Sequence, residues 1–256
     1  MRLADLVTVL EAIAPLVHAE PWDNVGLLAG DPSSTIVRAL LTIDCTRDVA
    51  EEARRRGCQA IVAYHPPIFA PLKRIAHDGV VAFAIRHGIA LYSPHTALDA
   101  AKGGTNDVLA DLVGIEARRP IRSSASADDL GMGRIGTIAE ADRGALVERV
   151  RLGLGLDHLL VAGPRTGSAR RVAVAAGAAG DLLEAAVRQG VDVVVTGEVR
   201  HHDALGAAES GVTVVCTLHS RSERLALAAY RARIAQGTPG VEVLESEADR
   251  DPFSIV

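Results

Sequence analysis

Nine histidines and 32 acidic residues are spread over 256 positions, yet the side chains best suited to holding a cation follow a pattern. His65 comes directly after the apolar run QAIVAY (59–64). His95 and Asp99 come after IALYS (89–93), and His219 and Glu223 after VTVVCTL (212–218). Each run reads as a buried strand. Each group therefore falls just beyond a strand's C-terminal end, the edge at which open α/β sheets bind ligands. Imidazole mixed with carboxylate suits Zn, Fe or Mn, and one or two such divalent ions per chain are expected. A bound divalent ion lowers the pKa of water from about 15.7 to about 7, which produces a nucleophile for an electrophilic carbon or phosphorus. A second ion at about 3.5–4 Å would clamp the reacting oxygens. A nearby imidazole, His95 or His202, would carry protons near neutral pH.

Each group also has a purely structural reading. His65, before Pro66 and Pro67, is a loop histidine on that reading, and His95 with Asp99 a capped turn. His219 and Glu223, spaced i and i+4, share a helix face if the helix has begun by His219. Ser220 or Ser222 would then cap that helix, with Glu223 favouring its N-terminal dipole. The coincidence of three such groups at strand ends favours the metal reading.

The elements that must position these groups alternate along the chain. IVRALLTID (36–44), QAIVAY and IALYS read as strands, with helices at RDVAEEARRRG (47–57), GVVAFAIRHG (79–88) and NDVLADLVG (106–114) between and after them. The second half repeats the habit: strands at 171–177, 191–197 and 212–218, helices at 181–190, 202–211 and 222–235. Strands without polar alternation, each followed by a helix, imply a mostly parallel sheet covered on both faces. The expected fold is α/β, two intertwined lobes with mostly parallel or mixed sheets flanked by helices, and the metal site at strand C-terminal ends. A boundary is read near residue 120, giving an N-terminal lobe over 1–120 and a C-terminal lobe over 121–256 that contributes the late His and Glu ligands. RRPIRSSASADDLGMG (118–133) reads as a polar loop, GRIGTI (133–138) as a short strand and GALVERVRLGLG (144–155) as a helix. The acidic end, EVLESEADRDPF (242–253), reads as a strand with a solvated tail.

Composition narrows the function classes. Hydrophobic residues make up 48% and charged residues 23%, a globular balance. The net charge of −5 gives no basic excess for phosphate backbones, and 3% aromatics gives little for base stacking, so nucleic acid is an unfavoured partner. Cys45, Cys58 and Cys216 form no CxxC pair and read as small buried groups in a reducing cytoplasm. The first residues, MRLADLVTVLEAIAPLV, read as an amphipathic helix rather than a leader peptide, and no run is long enough to span a membrane. Arg54, Arg55 and Arg56 read as a solvated helix face. GAAG (177–180) after a strand is a weak phosphate-cradle signal without the Lys-Ser/Thr of a P-loop.

At these residues the chain resembles the Nif-three-like dinuclear-metal hexameric proteins, whose bacterial members are often labelled GTP cyclohydrolase I type 2 homologues. The resemblance rests on PWDNVGLLAGD (21–31), LLTIDCT (40–46), AYHPPIF (63–69), LYSPHTALDAAKGGTNDVLADLVGI (91–115), VAVAAGAAGDLL (172–183), DVVVTGEVRHHDAL (192–205) and TLHSRSERLAL (217–227). Residues 116–170 match least, and the chain is of the short form. The resemblance implies His65, Asp99, His219 and Glu223 as metal ligands, with His95 close by. It implies His202 and Glu198 near the cleft, a small-molecule substrate (for the GTP label, a nucleotide attacked at the imidazole-ring carbon of guanine), and a toroidal homohexamer. Glu223, His95 and His202 are the implied catalytic groups. No guanine-specific NKxD box is present. Two positions depart from the family pattern. Tyr64 stands where the family has the first histidine of its His-His pair, so Tyr64 is either an unusual ligand or the mark of a weakened second metal position. Leu218 replaces the glycine before His219. Trp22 is expected to pack, and Asp23 and Asn24 to order the pocket. A metal-dependent hydrolase and a non-catalytic metal-binding scaffold or regulator are the two functions this pattern supports.

Overall fold

The computed structural model describes residues 1–125 and 127–254. Apolar positions spaced three and four apart fold the N-terminus into helix α1 (Leu3–Ile13), which buries Leu3, Leu6, Leu10 and Ile13. Then come β1 (Gly26–Ala29), β2 (Arg38–Thr42), α2 (Arg47–Arg55), β3 (Ala60–Ala63), α3 (Val80–Arg86), β4 (Ala90–Ser93), α4 (His95–Ala100) and α5 (Thr105–Val113). Next are β5 (Glu116–Arg119), β6 (Arg122–Ser124), β7 (Ala127–Met132), β8 (Arg134–Asp142), α6 (Arg143–Gly153), β9 (Leu160–Ala162), β10 (Ser168–Ala178) and α7 (Asp181–Arg188). The chain finishes with β11 (Val193–Glu198), α8 (His201–Glu209), β12 (Thr213–Cys216), α9 (Arg221–Arg224), α10 (Leu227–Gly237) and β13 (Glu242–Glu245). The α/β alternation expected from the hydrophobic runs is therefore present, with sheets flanked by helices.

The chain divides into two compact units: Met1–Leu98 together with the segment from Leu227 onward, and Asp99–Ala226. The division does not fall near residue 120. It departs from that position because β13 returns to pair in parallel with β2, Val243 opposite Ala39 and Leu244 opposite Leu40, which carries the last helix and strand into the first unit.

In the first unit the sheet runs β1-β4-β3-β2-β13, with β4, β3, β2 and β13 parallel and β1 antiparallel at one edge. Every residue of β3 and β4 is buried, as expected for parallel strands covered on both faces. Leu40, Ile61, Ala63 and Leu91 pack there against Val49, Ala53 and Ala84. In the second unit the sheet runs β5-β8-β10-β11-β12-β9, parallel across β10, β11 and β12 and antiparallel outside them. Val193, Val195 and Val215 face one apolar layer and Val194 and Val214 the other. In each unit the parallel strands point their C-terminal ends the same way, so residues just past those ends share an edge.

Three local expectations change. The polar stretch 118–133 is strand-rich: β5 joins the larger sheet, and β6 pairs with β7, Ser123 opposite Gly131. Gly131 has φ +145 and no room for a Cβ, which would lie 2.2 Å from the carbonyl of Arg122. Ser126 of that stretch lies outside the described residues. The helix expected over 222–235 is two helices, interrupted at Leu225 and Ala226, where the chain passes from one unit to the other. Arg54 and Arg55 are exposed, but Arg56 reaches back to Glu52 Oε1 at 2.6 Å. No helix among the described residues is long and apolar enough to cross a membrane.

Candidate metal centre

In the first unit the C-terminal ends of β2, β3 and β4 present Asp44, His65 and His95. The approach to antiparallel β1 adds Asp23 at the same edge. The His65 Nδ1 lies 2.9 Å from Asp44 Oδ1. The His95 Nδ1 lies 2.8 and 2.9 Å from the two oxygens of Asp23, whose side chain is fully shielded from solvent. The Asp23 carboxylate also accepts hydrogen bonds from the Thr96 amide and hydroxyl. Burial works to raise the Asp23 carboxyl, but the hydrogen bonds from His95 and Thr96 outweigh it and hold the group below its usual value. His95 sits at φ +30, an uncommon angle for a side-chain-bearing residue.

Tyr64, the departure from the family's histidine pair, is 1% exposed. Its ring stands edge-on to His65 (5.3 Å) and His95 (5.9 Å), and its carbonyl accepts from Ser93 Oγ at 2.7 Å. Trp22 packs as expected, against the rings of Phe69 and His95, but at the surface, where it stays 59% exposed.

In the second unit the ends of β10, β11 and β12 present Gly177, Glu198 and His219. The His219 Nδ1 lies 3.1 Å from Glu198 Oε1, and its Nε2 lies 3.2 Å from Oε1 of Glu223, a buried residue on α9. Ser222 locks this corner: its hydroxyl donates to the His219 carbonyl at 2.6 Å and accepts from the Gly177 amide at 2.8 Å. Gly177, at φ +66, leaves space in front of the donors, because a Cβ there would lie 2.7 Å from Glu223 Oε1 and 3.3 Å from His219 Nε2. The GAAG stretch thus begins with a residue whose lack of a side chain clears this corner. Leu218, in the family's glycine position, adopts φ +71.

One chemical pattern runs through both units. His65, His95 and His219 each meet a carboxylate at Nδ1. An ionised carboxylate only accepts, so the Nδ1 carries the hydrogen and faces away from the Nε2 edge of each ring. Histidines that bind metals are held in this way. His65, His219 and Glu223 offer donors of types that could hold a metal ion. Within the second unit a divalent cation suits the donor types: an imidazole nitrogen of His219, the buried carboxylate of Glu223 and the space that Gly177 clears beside them. Asp99, in the last turn of α4, is buried.

Of the remaining sequence candidates, His202 is exposed on the first turn of α8, its ring 5.3 Å from His201, and it borders a cavity between α7 and α8 lined by Glu184, Arg200 and Asp203. Cys58 and Cys216 are buried and Cys45 half-buried. Burial, then the nearby Glu198, pushes the Cys216 thiol up to about 11, so it is no thiolate at neutral pH. Asp44 carries a role that sequence reasoning missed. Its signal was its place at the C-terminal end of the run IVRALLTID, the kind of strand end that also selected His65.

Comparison with known proteins places the chain in a family. The family model described as Duf34/NIF3 (NGG1p interacting factor 3) matches residues 1–252. NIF3-like protein 1 of Drosophila melanogaster is 36% identical over 270 residues, covering 100% of this chain and 89% of that protein. A Clostridium perfringens protein named GTP cyclohydrolase 1 type 2 homolog is 29% identical over 262 residues, covering 100% of both. The crystal structure of Staphylococcus aureus protein SA1388 superposes with a TM-score of 0.90 at 26% identity, covering 100% of this chain and 99% of that one.

Proposed function

Because the chain belongs to the Duf34/NIF3 family, we propose that it is a divalent-metal-dependent hydrolase of a small molecule, with GTP-like nucleotides as the first substrates to test. The observation that carries this reading is the two-sided contact of His219. With Nδ1–H directed to Glu198, the Nε2 lone pair would face Glu223 Oε1 at 3.2 Å. Two acceptors at that distance repel unless positive charge lies between them. A proton can supply it, and so can a divalent cation.

On this reading His65, Asp99, His219 and Glu223 hold the ion, and Tyr64 either contributes its phenol or leaves a second position weak. When bound, the ion polarises an oxygen of water or substrate. This chain's own residues do the rest. Asp44 and Glu198 orient the imidazoles of His65 and His219. Asp23 fixes the orientation of His95, whose Nε2 is the atom placed to pass a proton. His202 is the alternative proton carrier, and a homohexamer is the assembly suggested by the resemblance. The clustering of donors past strand ends and the naming of the Clostridium relative support the proposal.

Tyr64 favours a second reading, a metal-binding scaffold without turnover, because a phenol with a pKa near 10 makes two-metal chemistry harder. The two readings separate in one experiment. Protein purified without added ions is analysed for metals, then challenged with GTP, phosphoesters and cyclic amides, before and after chelation and as Glu223→Ala. Metal-dependent hydrolysis lost in the variant supports the enzyme. Bound metal without turnover supports the scaffold, and absence of bound metal overturns both.

A further inference from the structure

Trp22, the chain's only tryptophan, is 59% exposed, and Phe69 is 56% exposed. Two large rings open to solvent forfeit the stabilisation that burial would give, yet both are held in place. Their centroids are 5.9 Å apart at an interplanar angle of 57°. Each also stands edge-on to the imidazole of His95, at 6.1 and 6.3 Å. Asn24 Nδ2 donates to the Ile68 carbonyl at 2.6 Å, tying the segment that carries Trp22 to the one that carries Phe69. Asp23, between Trp22 and Asn24, is anchored on His95 and Thr96. Pro66 and Pro67 stiffen the approach to Phe69.

We propose that Trp22 and Phe69 form a stacking platform that holds a planar heteroaromatic ring of the substrate beside His95. The tilted pair offers a ring one face to stack on and one edge to abut, the offset and edge-to-face arrangements that aromatic groups prefer. The neighbouring group decides the class of ligand. The His95 imidazole, its Nδ1 committed to Asp23, stands beside both rings, so a ligand ring carrying nitrogen or oxygen atoms meets both the apolar faces and a polar imidazole. A purely apolar side chain of another protein would leave the imidazole unmet. Stacking tolerates any flat ring, so the platform selects for planarity, and the hydrogen-bonding edge is read by His95. This inference deepens the proposed function, because it rests on reading the site as one for a small-molecule substrate.

Trp22 is its own probe. The full-length, metal-loaded protein is excited at the red edge of tryptophan absorption and titrated with guanosine, with nicotinamide and with ribose 5-phosphate. Saturable quenching by the two ring compounds and none by the sugar phosphate is expected. Phe69→Ala should weaken guanosine binding roughly tenfold, as loss of one stacking partner does, with metal content and melting temperature unchanged. Binding to Trp22→Phe, followed by calorimetry, should survive because a ring remains. Failure of both ring compounds to alter the emission, or equal quenching by ribose 5-phosphate, would overturn the platform. So would a blue-shifted emission that reddens on dilution, which would mean that a second copy of the chain already covers Trp22. The two proposals fail separately. Ring-dependent quenching without hydrolysis removes the enzyme and keeps the platform, whereas phosphoester hydrolysis without ring-dependent quenching does the reverse.

Discussion

Glu198 Oε1 lies 3.1 Å from His219 Nδ1, on the edge of the imidazole away from Glu223, whose Oε1 lies 3.2 Å from Nε2. On the proposed reading, a histidine held on one side by an exposed carboxylate and facing a buried one on the other is oriented for a cation. Replacing Glu198 with Ala should lower metal affinity by about 10–100-fold, the usual effect of losing the group that orients a ligating histidine. Chelator competition would measure it. Glu198 is exposed, so the melting temperature should not move, and unchanged affinity would show the pair to be incidental.

Tyr64 occupies a buried position edge-on to both His65 and His95. Tyr64→His should raise the number of metal ions bound per chain, because a neutral imidazole binds Zn or Fe without first losing a proton to a pKa near 10. Elemental analysis of the two proteins purified in parallel is the measurement. Equal stoichiometry would mean that the second position lacks more than this one side chain.

Leu218 sits at φ +71, where a side chain costs about 1 kcal/mol or more. Leu218→Gly removes that strain, but glycine adds freedom to the unfolded chain, worth about 0.4–1 kcal/mol in the opposite direction. The variant should therefore fall within about 1 kcal/mol of the parent in urea unfolding. Leu218→Val should be destabilised by more than about 1 kcal/mol, because a β-branched residue fits the left-handed region worst.

The carboxylate of Glu52 accepts from the Glu247 and Ala248 amides, the Ser246 hydroxyl and Arg56. Burial works against its charge, but these hydrogen bonds outweigh burial and draw the pKa from 4.5 to about 2. A carboxyl depressed in the folded state adds stability above its unfolded value, and that stability drains as pH falls through the folded one. Melting temperature should therefore drop between about pH 4.5 and 2, and Glu52→Gln should flatten that limb. At neutral pH the variant should lose about 2 kcal/mol, the order of one or two charge-assisted hydrogen bonds. An unchanged acid limb would remove Glu52 as its source.

The phenol oxygens of Tyr92 and Tyr230 are buried without a hydrogen-bond partner among the described residues. Desolvation keeps both protonated, Tyr230 well above the ordinary value of 10. Deleting a buried, unmatched hydroxyl restores no lost bond and removes a desolvation cost. Tyr230→Phe should be neutral or stabilising by up to about 1 kcal/mol in denaturant unfolding. In the same unit, Leu10→Ala should cost about 2–5 kcal/mol. A clear loss in Tyr230→Phe would reveal a buried water bonded to the phenol.

Much of the architecture could be read from hydrophobic runs. ALLT, AIVA, ALYS, VVVT and TVVC lack polar alternation, and all lie within parallel strands. What failed was length and pairing. The serine-rich 118–133 stretch offers no apolar run, yet β6 and β7 pair through backbone groups that any residue supplies. The helix from 222 breaks at Leu225 and Ala226, two residues whose types favour helix, because the chain there leaves one sheet for another.

At the candidate site, the sequence by itself determined which donor types stand just past which strands, because a strand's end and the residue after it are local properties of the pattern. It did not determine what each imidazole leans on. Asp23 and His95 are 72 positions apart, Asp44 and His65 21 apart, and each meets its partner only because strand order and register bring two ends to one edge. Tertiary structure alone decided that geometry, since hydrogen bonds of about 3 Å depend on where whole strands lie, and no spacing along the chain encodes that position.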